Sequence, residues 1–311
     1  MQKVIRFLLK TLLTLFVIVN VITAFHAYKF THFYDADKVQ VKRNEDKTRW
    51  DKTKDILFGV KAVKQKNRVA DSAWQTVQLT TSGGLKLEGW YIPKDSAKGT
   101  VILFHGHGGT KSGVVNEALH FNSMGYNTLL VDFRAHGNSE GNVCTIGFHE
   151  AEDVKLAFDH IRGKGEKHIV LWGISMGAAA VTKAIHDYEL SPDKVILEMP
   201  FGSILQAAEG RLSIMKLPRE PLAALVTFWG GVEQGFWAFN MKPSRYARSI
   251  HVPALVQWGR NDPRVSWEET AAVYNNIPAP KKLVIYENSG HQSLCDKETE
   301  KWTKEVSSFL Q

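Results

Sequence analysis

Cysteine is scarce in this sequence of 311 residues, since only Cys144 and Cys295 occur. Two cysteines are too few for a disulfide-built scaffold or for a zinc site made of cysteine ligands. One bridge between them stays an open alternative if the body lies outside the cytoplasm, because sequence alone does not place the two Cα atoms close together. The 33 aromatic residues supply enough apolar side chains for a sizeable core, and no internal repeat or low-complexity segment is evident.

Basic residues are not in excess over most of the chain. The formal net charge is +7, yet residues 1–68 hold 15 Lys and Arg against six Asp and Glu, and the other 243 residues sum to −2. A protein that binds nucleic acid carries a basic patch on its folded body, together with a groove-reading motif or base-stacking aromatic residues. The sequence shows neither, so we expect no nucleic-acid partner.

Long hydrophobic runs are also lacking, with a single exception at residues 4–27. The 21 residues 7–27 would span, at about 1.5 Å each, roughly the ~30 Å of a bilayer core. Three basic residues, Lys3, Arg6 and Lys10, precede the most apolar part, as in a signal sequence. No small-x-small cleavage site follows the apolar part. The pattern predicts a single-pass signal anchor over 1–28, with the body outside the cytoplasm; a cleaved signal peptide is the alternative.

The segment that follows is strongly basic. Residues 38–68 hold 11 Lys and Arg against four Asp and Glu. A solvated linker over 29–73 is the simplest interpretation, and contact with anionic lipid headgroups is the alternative.

Beyond residue 74, short apolar runs alternate with segments long enough for helices. "WQTVQLTT" and "LKLEGWYIP" flank residues 82–84 and predict an antiparallel hairpin. Continuous apolar runs are typical of strands buried on both faces of a parallel sheet: "GTVILFHG", "YNTLLVDF", "HIVLWG", "KVILEM", "PALVQWG" and "KKLVIYE". Because "EAEDVKLAFDHIRG" and "AAAVTKAIHDY" read as crossover helices, residues 74–311 are predicted to form one α/β domain with a doubly wound, mostly parallel sheet.

One interval is too long for a single crossover, and it predicts a small helical cap over about 203–248. Glycines at 230, 231 and 235 would give this cap hinges. It contains five aromatic residues, which are either ordinary core or an apolar face turned toward a site: Phe228, Trp229, Phe236, Trp237 and Phe239.

Ser175 lies between an apolar strand and a helix that begins with small residues, in "LWGISMGAAA". A sharp strand-to-helix turn brings the two elements too close for side chains two residues on either side, and Gly173 and Gly177 remove that clash. The turn would present the Ser175 hydroxyl at the carboxyl end of the sheet, beside a helix N-terminus that favours negative charge.

A serine hydroxyl needs a base to take its proton and an acid to orient that base. Asp262 follows the strand "PALVQWG", and His291 follows the strand "KKLVIYE". The carboxyl ends of parallel strands meet at one edge of the sheet, so we expect His291 as base and Asp262 as orienting acid. Glu198, at the end of "VILEM", is the reserve acid.

Acyl transfer also needs backbone donors for the oxyanion. The N–H of Met176, directly after the serine, is one candidate. The glycine-rich loop "HGHGG" (105–109) supplies the other, with His107 preferred over Gly108. A metal site at His105 and His107 is disfavoured because no carboxylate stands at ligand spacing.

Together, "HGHGG", "DFRAHGNSEG" (132–141), "GISMG", "GRNDPRV" and "SGHQS" resemble the α/β-hydrolase fold family over about residues 75–311, in its serine-aminopeptidase-like and monoacylglycerol-lipase-like branch. The resemblance implies that Ser175, Asp262 and His291 form a catalytic triad. It also implies a structural role for the 132–141 loop, with its shape fixed by Asp132, Arg134 and Gly137.

The expected function is a membrane-bound serine hydrolase that cleaves carboxylic esters without a metal or organic cofactor. The apolar cap and the anchor favour a lipophilic small-molecule acyl substrate. The alternatives are an aminopeptidase, which would need an acidic pocket for the substrate's amino group, and a thioesterase or acyltransferase, which would use the same residues. A non-catalytic scaffold is disfavoured because no triad member is missing.

Overall fold

The computed structural model describes residues 1–42, 44–68 and 73–311. Parts of the predicted linker, Arg43 and residues 69–72, lie outside the described residues.

Eight strands coincide with the predicted hairpin and the predicted apolar runs: β3 Gln75–Thr80, β4 Lys86–Ile92, β5 Thr100–Phe104, β6 Asn127–Val131, β7 Ile169–Ile174, β8 Lys194–Glu198, β9 Ala254–Gly259 and β10 Lys281–Tyr286. They form one sheet at the centre of the body, in the order β10-β9-β8-β7-β5-β6-β4-β3. Neighbouring strands pair in parallel except β3 with β4 and β4 with β6, so the predicted hairpin and the mostly parallel sheet are confirmed.

Helices cover both faces of this sheet. Every residue of β5 is buried, and successive residues of β5 alternate between two apolar clusters, one on each face. The helices of the body are α3 Val115–Ser123, α4 Glu150–Gly163, α5 Met176–Tyr188, α9 Trp267–Asn276, α10 Leu294–Lys297 and α11 Thr299–Leu310. The first cluster includes residues of α4, α5 and α9, and the second includes residues of α3 and α11. The fold is therefore doubly wound, as predicted.

The two cysteines lie in different clusters. Cys144 belongs to the first cluster and Cys295 to the second, and both are buried and unbonded. The sheet separates them, so the bridge left open by the sequence does not form.

Between β8 and β9 the chain forms the helices α6 Ile204–Ile214, α7 Leu222–Gln234 and α8 Pro243–Tyr246. Helices α6 and α7 share a small apolar core built on Ala208, Leu212 and Ala223. These helices occupy the interval in which the cap is expected.

The apolar N-terminal run is one continuous helix, α1 Gln2–Thr31, and it reaches three residues beyond the predicted end. Among the described residues it is the one helix long and apolar enough to cross a membrane. Every residue up to Ile18 is exposed. The second half packs against α7, where Trp229 Nε1 donates to Asn20 Oδ1 at 3.1 Å and Gln234 Nε2 donates to Thr31 Oγ1 at 3.2 Å.

The segment after α1 contains regular structure. Helix α2 Arg49–Phe58 starts at a reciprocal capping box between Thr48 and Asp51. The short strands β1 Phe33–Tyr34 and β2 Ala62–Val63 pair in parallel. The Phe58 ring meets that of Phe25 edge-on, with centroids 5.3 Å apart, so this segment folds back on α1.

Candidate active site

Ser175 occupies a strained turn between β7 and α5. Its backbone angles are φ 55° and ψ −113°, a left-handed conformation that costs free energy for a residue with a side chain. A Cβ at Gly173 would lie 2.6 Å from the Gly177 carbonyl carbon, and a Cβ at Gly177 would lie 2.2 Å from the Phe104 carbonyl oxygen. The turn therefore requires glycine at both positions, for the steric reason that the sequence suggests.

His291 and Asp262 lie beside this serine. His291 Nε2 is 3.0 Å from Ser175 Oγ, and His291 Nδ1 is 2.7 Å from Asp262 Oδ2. The Asp262 side chain is fully buried, and its other oxygen accepts the backbone N–H groups of Arg264 at 2.7 Å and Val265 at 2.9 Å. These bonds fix the carboxylate so that it accepts a hydrogen bond from His291 Nδ1–H, which leaves Nε2 unprotonated and able to accept from the serine.

The two predicted oxyanion donors, the N–H groups of Met176 and His107, belong to residues that line the cavity around the serine. Met176 is the first residue of α5, and the first N–H groups of a helix have no partner within the helix. His107 lines the same cavity as Ser175. The N–H of Gly108 already donates to His136 Nε2 at 3.0 Å, so of the two candidates in this loop the N–H of His107 remains.

The rings of His105 and His107 form hydrogen bonds with backbone groups of the protein. His105 Nδ1 donates to the Gly106 carbonyl oxygen at 2.8 Å, and its Nε2 accepts the Phe133 N–H at 3.1 Å, so both ring nitrogens are occupied. Burial lowers the pKa of His107 well below its ordinary value, with His136 and Arg211 acting in the same direction. The neutral His107 ring donates from Nε2 to the Phe30 carbonyl oxygen at 3.1 Å.

Glu198, the reserve acid, makes different contacts. Its Oε1 accepts the indole N–H groups of Trp172 at 3.0 Å and Trp302 at 2.6 Å. Burial raises its pKa to about 8, and Glu117 adds to this effect. Its side chain makes no hydrogen bond with His291 among the described residues, so Asp262 is the carboxylate that the geometry pairs with the histidine.

The loop over 132–141 is held by buried charges. Asp132 pairs with Lys111 and accepts the Asn138 N–H at 2.9 Å, and Arg134 forms an ion pair with Asp153 at 2.6 Å. A Cβ at Gly137 would lie 2.2 Å from the Asp132 carboxylate. These contacts fit the structural role expected for this loop.

A cavity of about 320 Å³ opens in front of Ser175 and His291. Most of its wall is apolar and comes from the N-terminal region, the body and α6, with Phe30, Ile146, Phe201, Ile214 and Met215 as its larger side chains. The five aromatic residues singled out in the cap are not among the lining residues. Trp229 instead bonds to α1, and Phe236 stacks on Phe148 with centroids 3.9 Å apart.

The lining residues that the sequence analysis did not single out include Phe30, Arg211 and Arg264. Arg264 lies two residues after Asp262 in a motif already singled out, and that proximity was a usable signal. Nothing in the sequence signals the other two, because they reach the cavity through the packing of α1 and α6.

Known proteins resemble the part of the chain that contains this site. A model of the family described as "Serine aminopeptidase, S33" matches residues 95–227, a range that includes Ser175 and the 105–109 loop but ends before Asp262. The uncharacterized protein YqkD of Bacillus subtilis is 26% identical over 239 residues, which cover 75% of this chain and 77% of that protein.

The lysophosphatidylserine lipase ABHD12 of Xenopus tropicalis is 27% identical over 230 residues, and the match spans 69% of this chain but only 56% of that lipase. Among solved structures, the Pyrococcus furiosus esterase Pf2001 superposes with a TM-score of 0.65 at 25% identity, over 81% of this chain and 98% of the esterase. The sheet, the strand-to-helix turn and the loops around Ser175 thus belong to a fold that carries esterases.

Proposed function

We propose that this chain, which has the fold of α/β-hydrolase esterases, is a serine hydrolase that cleaves carboxylic esters with lipophilic acyl groups. The observation that carries this proposal is the chain of hydrogen bonds from Ser175 through His291 to Asp262, at 3.0 and 2.7 Å. Esterases and lipases among the similar proteins support the same class of reaction.

The proposed reaction assigns a role to each of these groups. Ser175 Oγ attacks the ester carbonyl while His291 Nε2 takes its proton, and Asp262 stabilises the imidazolium that forms. The N–H groups of Met176 and His107 hold the oxyanion of the tetrahedral intermediate. His291 then protonates the leaving alcohol, and a water molecule, deprotonated by His291, releases the acid from the acyl-enzyme.

The cavity supports a lipophilic ester over an aminopeptidase substrate. An aminopeptidase needs a carboxylate to bind the substrate's α-ammonium group, whereas the described residues that line the cavity include no Asp or Glu and include Arg211 and Arg264. A positive wall repels an ammonium group. The apolar side chains around it are suited to a hydrocarbon chain.

We also propose that α1 anchors the protein as a single-pass span with the hydrolase domain outside the cytoplasm. The apolar residues 7–27 would extend about 32 Å at 1.5 Å per residue, close to a bilayer core of ~30 Å, and those up to Ile18 are exposed. The second half rests on the cap, so the cavity would open near the membrane surface. Under this proposal, residues 1–31 form the anchor, residues up to about 73 the juxtamembrane segment, and residues 74–311 the hydrolase domain with its cap.

The test is the hydrolysis of p-nitrophenyl esters from acetate to laurate by the full-length protein in detergent, with Ser175→Ala as control. We expect a maximum at medium or long chains and no enzymatic turnover in the variant. A maximum at acetate would contradict the lipophilic site. Failure on every ester, with turnover of amino-acid p-nitroanilides, would replace the esterase proposal by the aminopeptidase.

A further inference from the structure

Two arginines from different elements meet at the wall of the Ser175 cavity. Arg211 belongs to α6, and Arg264 follows β9 in the loop that holds Asp262. Helix α6 packs tightly on this loop, because a Cβ at Gly210 would lie 2.2 Å from the Arg264 carbonyl oxygen. The contact brings both arginines to the wall of the cavity that contains the nucleophile.

Neither guanidinium is paired within the described part of the chain. No carboxylate oxygen there lies within 4.0 Å of Arg211 or Arg264, and neither side chain donates a hydrogen bond to a described residue. The Arg211 guanidinium instead lies over the Phe30 ring, 4.3 Å from its centroid. Arg134 shows the ordinary arrangement in this protein, with ion pairs to Glu152 at 2.7 Å and to Asp153 at 2.6 Å.

The charge of Arg211 is costly to keep without a counter-ion, whereas Arg264 is exposed to water. Arg211 is partly buried, and removing an unpaired charge from water is unfavourable. Burial and the neighbouring Arg264 together lower the pKa of Arg211 to about 10. An anion between the two guanidiniums would supply the missing partner, since phosphate and carboxylate oxygens match the planar donors of arginine.

We infer that Arg211 and Arg264 bind a phosphate or carboxylate group carried by the ester substrate itself. The inference rests on the proposed esterase function and names its substrate class: a single-chain amphiphile with an anionic headgroup. The acyl chain would contact the apolar wall formed by Ile146, Phe201 and Ile214. The headgroup would lie at the arginines, and the ester carbonyl between them at Ser175.

A matched pair of esters tests this inference. 1-Oleoylglycerol and 1-oleoylglycerol 3-phosphate share the acyl chain and the ester, and they differ by the phosphate. With the full-length protein in neutral detergent, oleate release gives kcat/KM for each ester, and the ratio of the phosphorylated to the neutral ester is the readout. We expect this ratio to be about ten or more in the unaltered protein, because a hydrogen bond to a charged group strengthens binding by about ten-fold or more.

Arg211→Gln and Arg264→Gln should each lower the ratio by about ten-fold, mainly through KM, and Arg211→Lys should restore part of the loss. Arg248→Gln is the matched control, because Arg248 is exposed and bonds to Asn276 away from the cavity. It removes the same charge and should leave the ratio unchanged.

Three outcomes would overturn the inference while leaving the esterase proposal intact. The first is equal kcat/KM for both esters in the unaltered protein, and the second is an equal loss of kcat/KM on both esters in the arginine variants. The third is that the preference for the phosphorylated ester disappears when inorganic phosphate is added at the ester's concentration. The last would identify a site for the free ion. Absence of Ser175-dependent turnover of either ester would instead overturn the proposed function.

Discussion

The ring of His107 donates a hydrogen bond to the backbone carbonyl oxygen of Phe30, across 3.1 Å. The ring centroids of the two residues are 4.8 Å apart. The last turn of α1 is thus joined to the loop that we propose as half of the oxyanion hole. An N-terminal helix that would serve only as an anchor has no need of this contact.

The contact predicts that the two halves of α1 differ in importance for catalysis. Deleting residues 2–31 removes Phe30 and leaves the His107 ring without its acceptor, so we expect kcat in detergent to fall about ten-fold to a hundred-fold, as a small misplacement of a catalytic loop does. Deleting residues 2–17 removes only exposed residues and should leave kcat unchanged. Equal kcat in both truncations, with both folded by circular dichroism, would show that the contact has no catalytic role.

Asp262→Asn tests which acid orients the histidine. An amide at this position cannot hold the His291 tautomer that accepts the serine proton, so kcat should fall about 10³- to 10⁴-fold while the fold persists. Glu198→Gln should keep kcat within about three-fold, because the Glu198 carboxyl bonds to indoles of the core. Comparable losses in both variants would contradict the assignment of Asp262.

The buried carboxyl of Glu198 predicts a dependence of stability on pH. Its pKa of about 8 lies above the ~4.3 of an unfolded glutamate, so the folded state retains a proton that the unfolded chain releases. The stabilisation is complete below about pH 4.3 and is lost as the pH rises toward 8.

Glu198→Gln mimics the protonated side chain and removes this dependence. Between pH 5 and 8, its free energy of unfolding should decrease less steeply than that of the unaltered protein, with the variant gaining a few kcal/mol of relative stability at pH 8. Urea unfolding at several pH values measures the difference. Parallel curves would show that the carboxyl is ionised in the folded protein.

The glycines of the strand-to-helix turn give a prediction on stability. Gly177→Ala places a Cβ within 2.2 Å of a backbone oxygen of β5, so the strand and the helix must move apart. We expect a loss of about 2 kcal/mol or more, read as a lower midpoint in urea. Gly163→Ala is the control, since a Cβ there meets nothing within 4 Å and alanine favours a helix. Equal midpoints for the two variants would contradict the steric argument.

The sequence predicts the sheet and the placement of Ser175, Asp262 and His291 because both depend on local patterns. Buried parallel strands are continuous apolar runs, and each of the three residues follows the end of such a run. The cavity wall depends on packing between segments that are distant in the sequence, so local patterns do not predict it. Phe30 reaches the cavity because α1 continues to Thr31, and Arg211 reaches it through the contact of Gly210 with the Arg264 loop.

The cap aromatics illustrate the same limit. Trp229 and Phe236 are apolar residues in the predicted cap, yet they contact α1 and Phe148 and do not line the cavity. The composition of the cap shows that these side chains need apolar neighbours, but it does not identify those neighbours.

The most direct test of the account is covalent labelling with a fluorophosphonate probe, which reacts with a serine activated by a neighbouring base. The full-length protein should bind one probe per chain, and mass spectrometry should locate it on Ser175. Ser175→Ala should take up none, and His291→Ala should react far more slowly. Labelling at another serine, or no labelling of the folded protein, would contradict the claim that Ser175 is an activated nucleophile.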